Sequence, residues 1–301
     1  MARALELALR LSSRRAGIVL VYHALAERSG DLARDVFPAH STALFEAQLR
    51  YARRRYRIVR AEELLEAVRN RRRGERFPLA VTFDDDLLSH PHVAVPLLRR
   101  LGVPATFFLC GASLDQPYTF WWERLQRAID RGLDLTPVTG DRTTAHALAR
   151  RIEAANPEER AELADRLGRL VGDDPLDAGL RAAEARALGE AGFEIGFHTL
   201  RHHPLPPLSD EALAEAMAEG RAELERAVGR RLAAIAYPHG RADERVARAA
   251  RTAGFTAGFT GAGTAVSASS SALLVSRIEP AVTDLPAFAG QLAWALRTSH
   301  R

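Results

Sequence analysis

Short, predominantly apolar runs recur along the chain: Gly17–Tyr22, Leu79–Phe83, Thr106–Cys110, Phe193–Phe197 and Ala233–Tyr237. A strand with one wet face alternates apolar and polar residues, whereas a strand covered on both faces does not. Between these runs lie stretches with apolar residues at helical spacing, such as Leu64, Leu65 and Val68. Shorter runs at 56–59, 255–260 and 273–276 continue the series. The alternation of strand and helix predicts an α/β fold in which a parallel sheet is covered by helices.

Titratable residues stand at the ends of four of these runs. Val81-Thr-Phe-Asp-Asp-Asp86 ends in three adjacent acids, which repel one another unless a cation neutralises them or chemistry uses them. His23 closes the first run. Gly196-Phe-His-Thr-Leu-Arg-His202 follows another, and Pro238-His-Gly240 a fourth. In a parallel barrel the C-terminal strand ends form one rim, so residues distant in sequence converge there. His198 and His202 are four apart, a spacing that on a helical turn puts both imidazoles on one face. Two imidazoles with a carboxylate make a metal set that leaves positions open for water and substrate.

With 301 residues, 47% of them hydrophobic, the chain can bury a sizeable core. Its one cysteine, Cys110, excludes an internal disulfide and a multi-cysteine metal site. All basic residues are arginine and the net charge is +4. Acids are interleaved with the arginines, which argues for a mixed solvated surface and against nucleic-acid binding. Arg71-Arg72-Arg73 falls at a helix end, where cations suit the dipole. No stretch is long and apolar enough to span a membrane. Met1–Leu11 lacks an uninterrupted signal core and reads as an amphipathic helix that packs on the domain or lies on a membrane surface. The expected location is cytoplasmic, with a membrane-peripheral variant. The tail from Thr298 to Arg301 reads as frayed, and oligomeric state is not legible.

From about 113 to 183 the strand–helix pattern is replaced by helical stretches rich in Arg, Glu and Ala. We expect a helical insertion of low apolar density within one domain spanning 1–301. Its aromatic cluster, Tyr118-Thr-Phe-Trp-Trp122, can anchor the insertion or offer ring faces to a sugar. Ser209 to Val228 reads as one long helix.

Thr82-Phe-Asp-Asp85 followed by His198-Thr-Leu-Arg-His202 resembles the polysaccharide deacetylases of the NodB-homology group. The resemblance covers about Gly17 to Pro280 apart from the insertion. It implies a distorted (β/α)7-type barrel and metal-dependent removal of N-acetyl groups from an amino sugar or glycan precursor. By the same resemblance Asp84 is the general base. Asp85, His198 and His202 hold Zn2+ or another divalent metal. Ala236-Tyr-Pro-His-Gly240 resembles the Y-P-x-G form of a third family motif, which makes the His239 backbone N–H an oxyanion donor.

The chain departs from the family pattern in three places. Asp86 replaces the usual glycine after the aspartate pair, and can alter the loop or add a ligand. The arginine that steadies the base is absent from its usual motif, and Arg277 in Ser276-Arg-Ile278 resembles the arginine of an L-P-R-I variant. No histidine follows the last strand. Val21-Tyr-His23 resembles the Y-H-x-[VAL] opening of the branch that includes poly-N-acetylglucosamine deacetylases, whose opening histidine is the proposed acid. His23 is therefore the candidate proton donor to the leaving amine, with His203 as its competitor. The expected partner is a carbohydrate. Hydrolysis of a non-sugar, cyclic amide and a non-catalytic glycan-binding relic remain as alternatives.

Overall fold

The computed structural model describes residues 2–31 and 33–299. Seven strands form a continuous parallel path in chain order: β1 (Ala16–Tyr22), β2 (Pro78–Asp84), β3 (Thr106–Leu109), β4 (Glu194–Phe197), β5 (Ala234–Ala236), β6 (Ala257–Thr260) and β7 (Val275–Ser276). The short strand Arg57–Ile58, in the run expected at 56–59, pairs parallel with the start of β2 off that path. Every residue of β1, β2 and β3 is buried, as the absence of alternation requires. The register places Tyr22 beside Phe83, Phe83 beside Phe107, and Phe108 beside Gly196. A Cβ at Gly196 would stand 2.4 Å from the Phe108 ring, so the close approach of β3 and β4 needs a glycine.

Just past β7, Ile278 pairs with Leu20 of β1 in parallel. The Val21 N–H donates to the Ile278 carbonyl at 3.0 Å, and the Ile278 N–H to the Val19 carbonyl at 2.8 Å. The sheet is thereby rolled into a nearly closed parallel barrel, as expected from the sequence. A short strand at Val266–Ser267 pairs antiparallel with the start of β1. Leu25–Ala26 and His40–Ser41 form a separate two-stranded pair. Neither shows as an apolar run in the sequence, because each is two residues long.

The long helix expected over 209–228 is two helices, Asp210–Ala218 and Arg221–Val228. Gly220 between them has φ +74°, and a Cβ there would meet Leu200 at 2.9 Å. The insertion contributes the helices Trp121–Asp130, Thr136–Thr139, Ala145–Ala154 and Pro157–Val171. Its apolar content is higher than expected. Leu125, Leu148, Ile152, Leu163 and Leu167 are buried together in a cluster of their own. Each helix supplies only one apolar stripe, so the cluster is visible only once the stripes face one another.

Among the described residues no helix is long and apolar enough to cross a membrane. The N-terminal helix is Ala2–Arg10, and Met1 lies outside the described residues. The closing helix is Leu285–Thr298, and Ser299 beyond it is buried. His300 and Arg301, where the frayed tail was expected, lie outside the described residues.

Candidate active site

The C-terminal ends of the barrel strands open into one cavity of about 1200 Å3, lined among others by His23, Asp84, Asp85, His198, His202, His239 and Arg277. Those residues come from β1, β2, β4, β5 and β7, and parallel pairing alone brings them to the same rim.

Asp85, His198 and His202 each turn one ligand atom toward a common point, all within 4.8 Å of one another. Asp85 Oδ1 lies 3.6 Å from His198 Nε2 and 3.5 Å from His202 Nε2, and the two ring nitrogens are 3.2 Å apart. The His198 ring is fixed by a 2.8 Å contact from Nδ1 to the Ala236 carbonyl, which leaves Nε2 for the cavity. Asp85 Oδ1 is buried and has no hydrogen-bond partner. Burial and the neighbouring Asp84 charge push the Asp85 carboxyl well above the usual carboxylate range. A cation among these three atoms reverses that penalty, so the donor set fits a divalent ion bound by two imidazoles and one carboxylate.

The turn between His198 and His202 is not helical. Thr199 has φ +59° and His202 φ +50°, so the four-residue spacing works through an irregular turn rather than one face of a helix. Asp85 (φ +76°) and His239 (φ +56°) share the left-handed region. Among the described residues these four are the non-glycine positions with positive φ, and all belong to the rim. Each such residue costs about 1–2 kcal/mol. Strain of this kind persists where surrounding structure over-determines it, as at functional sites.

Asp84 is buried and takes both arms of the Arg277 guanidinium, Nη1 to Oδ1 and Nη2 to Oδ2, each at 2.6 Å. Burial alone would raise its pKa. The Arg277 charge, with help from His198, outweighs burial and holds it at about 2. Arg277 enters from β7 on the far side of the closure. It is itself 2% exposed and also donates to the Thr82 hydroxyl.

Asp86 does not join the ligand set. Its Oδ1 accepts the backbone N–H groups of Cys110 (2.8 Å) and Gly111 (3.2 Å), and its Oδ2 accepts that of Ala112 (3.0 Å). Asp86 therefore ties the turn after β2 to the root of the insertion. The aromatic cluster makes a second tie. Phe120 and Trp122 stack at 4.4 Å, and the Trp122 ring lies 4.6 Å from that of His202. Both are nearly fully buried, so these rings anchor the insertion and pack against the His202 ring. The exposed aromatic ring on the cavity is Phe37, packed at its edge against Trp121 and Trp122.

Sequence reasoning missed Glu123. Its Oε2 accepts the Phe120 N–H at 2.9 Å. It lines the cavity, and burial raises its pKa to about 7. The signal was an acid three residues into a helix start, which by itself says only that a helix is capped.

His203, the competing proton donor, does not line the cavity. The His239 ring packs 4.7 Å from that of His202, and burial lowers its pKa to about 3, so it is neutral at ordinary pH. Its turn closes on a glycine pair: a Cβ at Gly240 would lie 2.5 Å from Gly261.

A parallel barrel with carboxylates and imidazoles on its C-terminal rim defines a hydrolase-type site, and sequence comparison gives the family. Residues 71–258 match the model of the polysaccharide deacetylase family, and the chain belongs to that family. No curated protein matches it. Among solved structures, the Streptococcus pyogenes deacetylase PplD in complex with acetate superposes with a TM-score of 0.63 at 18% identity, over 93% of this chain and 98% of that one. IcaB from Ammonifex degensii gives 0.59 at 20% identity, over 94% and 97%. A de-N-acetylase from Aggregatibacter actinomycetemcomitans gives 0.56 at 17%, over 89% and 95%. These likenesses establish the shared fold. The family's activity is hydrolytic deacetylation of glycans.

Proposed function

We propose that this chain is a metal-dependent hydrolase that removes N-acetyl groups from amino-sugar units of a glycan. The observation that carries the reading is the unpartnered, buried Asp85 Oδ1 between two imidazole Nε2 atoms, beside a carboxylate locked by Arg277. Asp85, His198 and His202 would hold the ion, with zinc the best match to their chemistry. A divalent cation held there would supply a Lewis acid for water and the acetyl carbonyl, with Asp84 placed to accept the proton. Arg277 holds Asp84 ionised and fixes both its oxygens. The His239 backbone N–H is the candidate donor to the developing oxyanion.

His23 supplies the proton to the departing amine. It lines the cavity, and the Val21–Ile278 hydrogen bond sets it beside the chain that carries Arg277. His23→Ala is expected to keep metal and fold, slow turnover about 100-fold or more, and alter the alkaline limb of the pH–rate profile. An unchanged profile transfers the role to another donor.

The reading is tested by acetate release from N-acetylglucosamine oligomers, from the monomer and from cyclic amides, each with and without a chelator. Chelator-sensitive release from oligomers supports it. Ring opening of cyclic amides in its place would favour the second amidohydrolase reading. Absence of both metal and turnover would make the chain a glycan-binding relic.

A further inference from the structure

The end of the barrel opposite the cavity carries a surface that hydrolysis does not use. The N-terminal helix Ala2–Arg10 lies there, packed against the closing helix Leu285–Thr298. Its end is stitched to the turn that leads into β2. Arg71 is buried and donates to the carbonyls of Arg10, Ser12, Arg14 and Glu75. Arg71 is thus a structural clamp and not part of a solvated arginine run.

The helix packs Leu9 against the core but also leaves apolar surface facing outward. Its one acid, Glu6, points inward and accepts the hydroxyls of Tyr51 (2.8 Å) and Tyr56 (2.6 Å). Two leucines four apart point outward: Leu7 is 57% exposed and Leu11, just past the helix, 55%. Burying a carboxylate is unfavourable unless it is hydrogen-bonded, and here two phenols bond it, so the outward leucines are a built feature.

Arginines surround this face. Arg53, Arg54 and Arg55 end the helix Thr42–Arg55, and Arg72, Arg73 and Arg76 lie in the turn before β2. All six are exposed, and among the described residues none has a salt-bridge partner; the one acid in the turn, Glu75, accepts the Arg72 backbone N–H at 2.8 Å. Leu7 and Arg10 share a hollow with Arg54 and Arg55, and Arg76 donates to the Arg53 carbonyl, so the patch is contiguous.

We propose that this face docks the protein on an anionic lipid bilayer, with Leu7 and Leu11 entering the interface and the arginines meeting headgroups. Arginines alone would suit any polyanion. Outward leucines gain only where an apolar phase is present, and an apolar edge ringed by cations is the pattern of interfacial binding. Because the cavity opens at the other end of the barrel, docking leaves it facing the solution, free to take a polymer. The inference does not depend on the hydrolytic reading.

The test is flotation of the full chain with vesicles of phosphatidylcholine alone, and of phosphatidylcholine with phosphatidylglycerol. Binding is expected only to the anionic vesicles, and salt should release it. Replacing Arg53, Arg54 and Arg55 together with Gln is expected to weaken partitioning about 100-fold. Replacing Arg72, Arg73 and Arg76 with Gln reads the same face should the first variant fold poorly. The double change Leu7→Gln and Leu11→Gln should weaken binding while leaving the thermal midpoint in place. Equal binding to neutral vesicles, or none to anionic ones, would overturn the proposal. So would full binding by the leucine variant together with competition by heparin, which would point to a polyanion in solution.

Discussion

Asp84→Asn is expected to lower turnover about 100- to 10,000-fold, the span general-base assistance contributes, while the metal stays bound. The substitution keeps the shape of the side chain and removes its charge. It also strands Arg277, which is 2% exposed and bonds Asp84 through both arms. Breaking a buried ion pair by removing one partner costs about 3–5 kcal/mol, so denaturant unfolding should show a loss of that order, with the isosteric amide toward the low end. The two losses separate by measuring turnover where the variant is fully folded. Near-normal turnover with metal bound would remove Asp84 from the base role. Asp86 could not then inherit it, because its oxygens are committed to the backbone of residues 110–112.

His198→Ala is expected to strip metal and activity together. The site offers three candidate protein ligand atoms, and loss of one would leave two. Altering only the partner of a ligand typically lowers affinity 10- to 100-fold, so deleting the ligand itself should exceed about 100-fold. Metal content after dialysis reads the first effect and acetate release the second. A folded variant with full metal content would place His198 outside the ligand set. The same measurement on Trp122→Leu separates ligation from support. Trp122 touches His202 only through its ring, so affinity should fall by a smaller factor while the ligand atoms remain.

Much of the frame is legible in local chemistry. The buried strands show as runs without alternation, since a sheet covered on both faces favours apolar side chains on both. Asp84, Asp85, His198 and His202 stand out because acids and imidazoles at the ends of such runs have no structural reason to gather there. The course of the 198–202 turn was not legible. A helical turn and an irregular one put the same two histidines four apart, and nothing local announces Thr199 and His202 at positive φ. The break at Gly220 was equally hidden, since a glycine inside helical spacing is tolerated unless a neighbour such as Leu200 fills the space beside it.

The amino-acid sequence by itself determined which segments become barrel strands, which residues stand at their ends, and the family to which the chain belongs. Tertiary structure alone decided what those residues do to one another. Arg277 locks Asp84 across 193 residues of chain, because the hydrogen bonds of Ile278 to Val21 and Val19 close the barrel. Asp86, which in sequence looks like a third acid of the cluster, is drawn away by three backbone N–H groups at the root of the insertion. Glu6 turns inward and Leu7 outward because two tyrosines from another element meet the carboxylate. In each case the residue type is set locally, but its role is set by long-range partners, and only closure of the chain on itself supplies those.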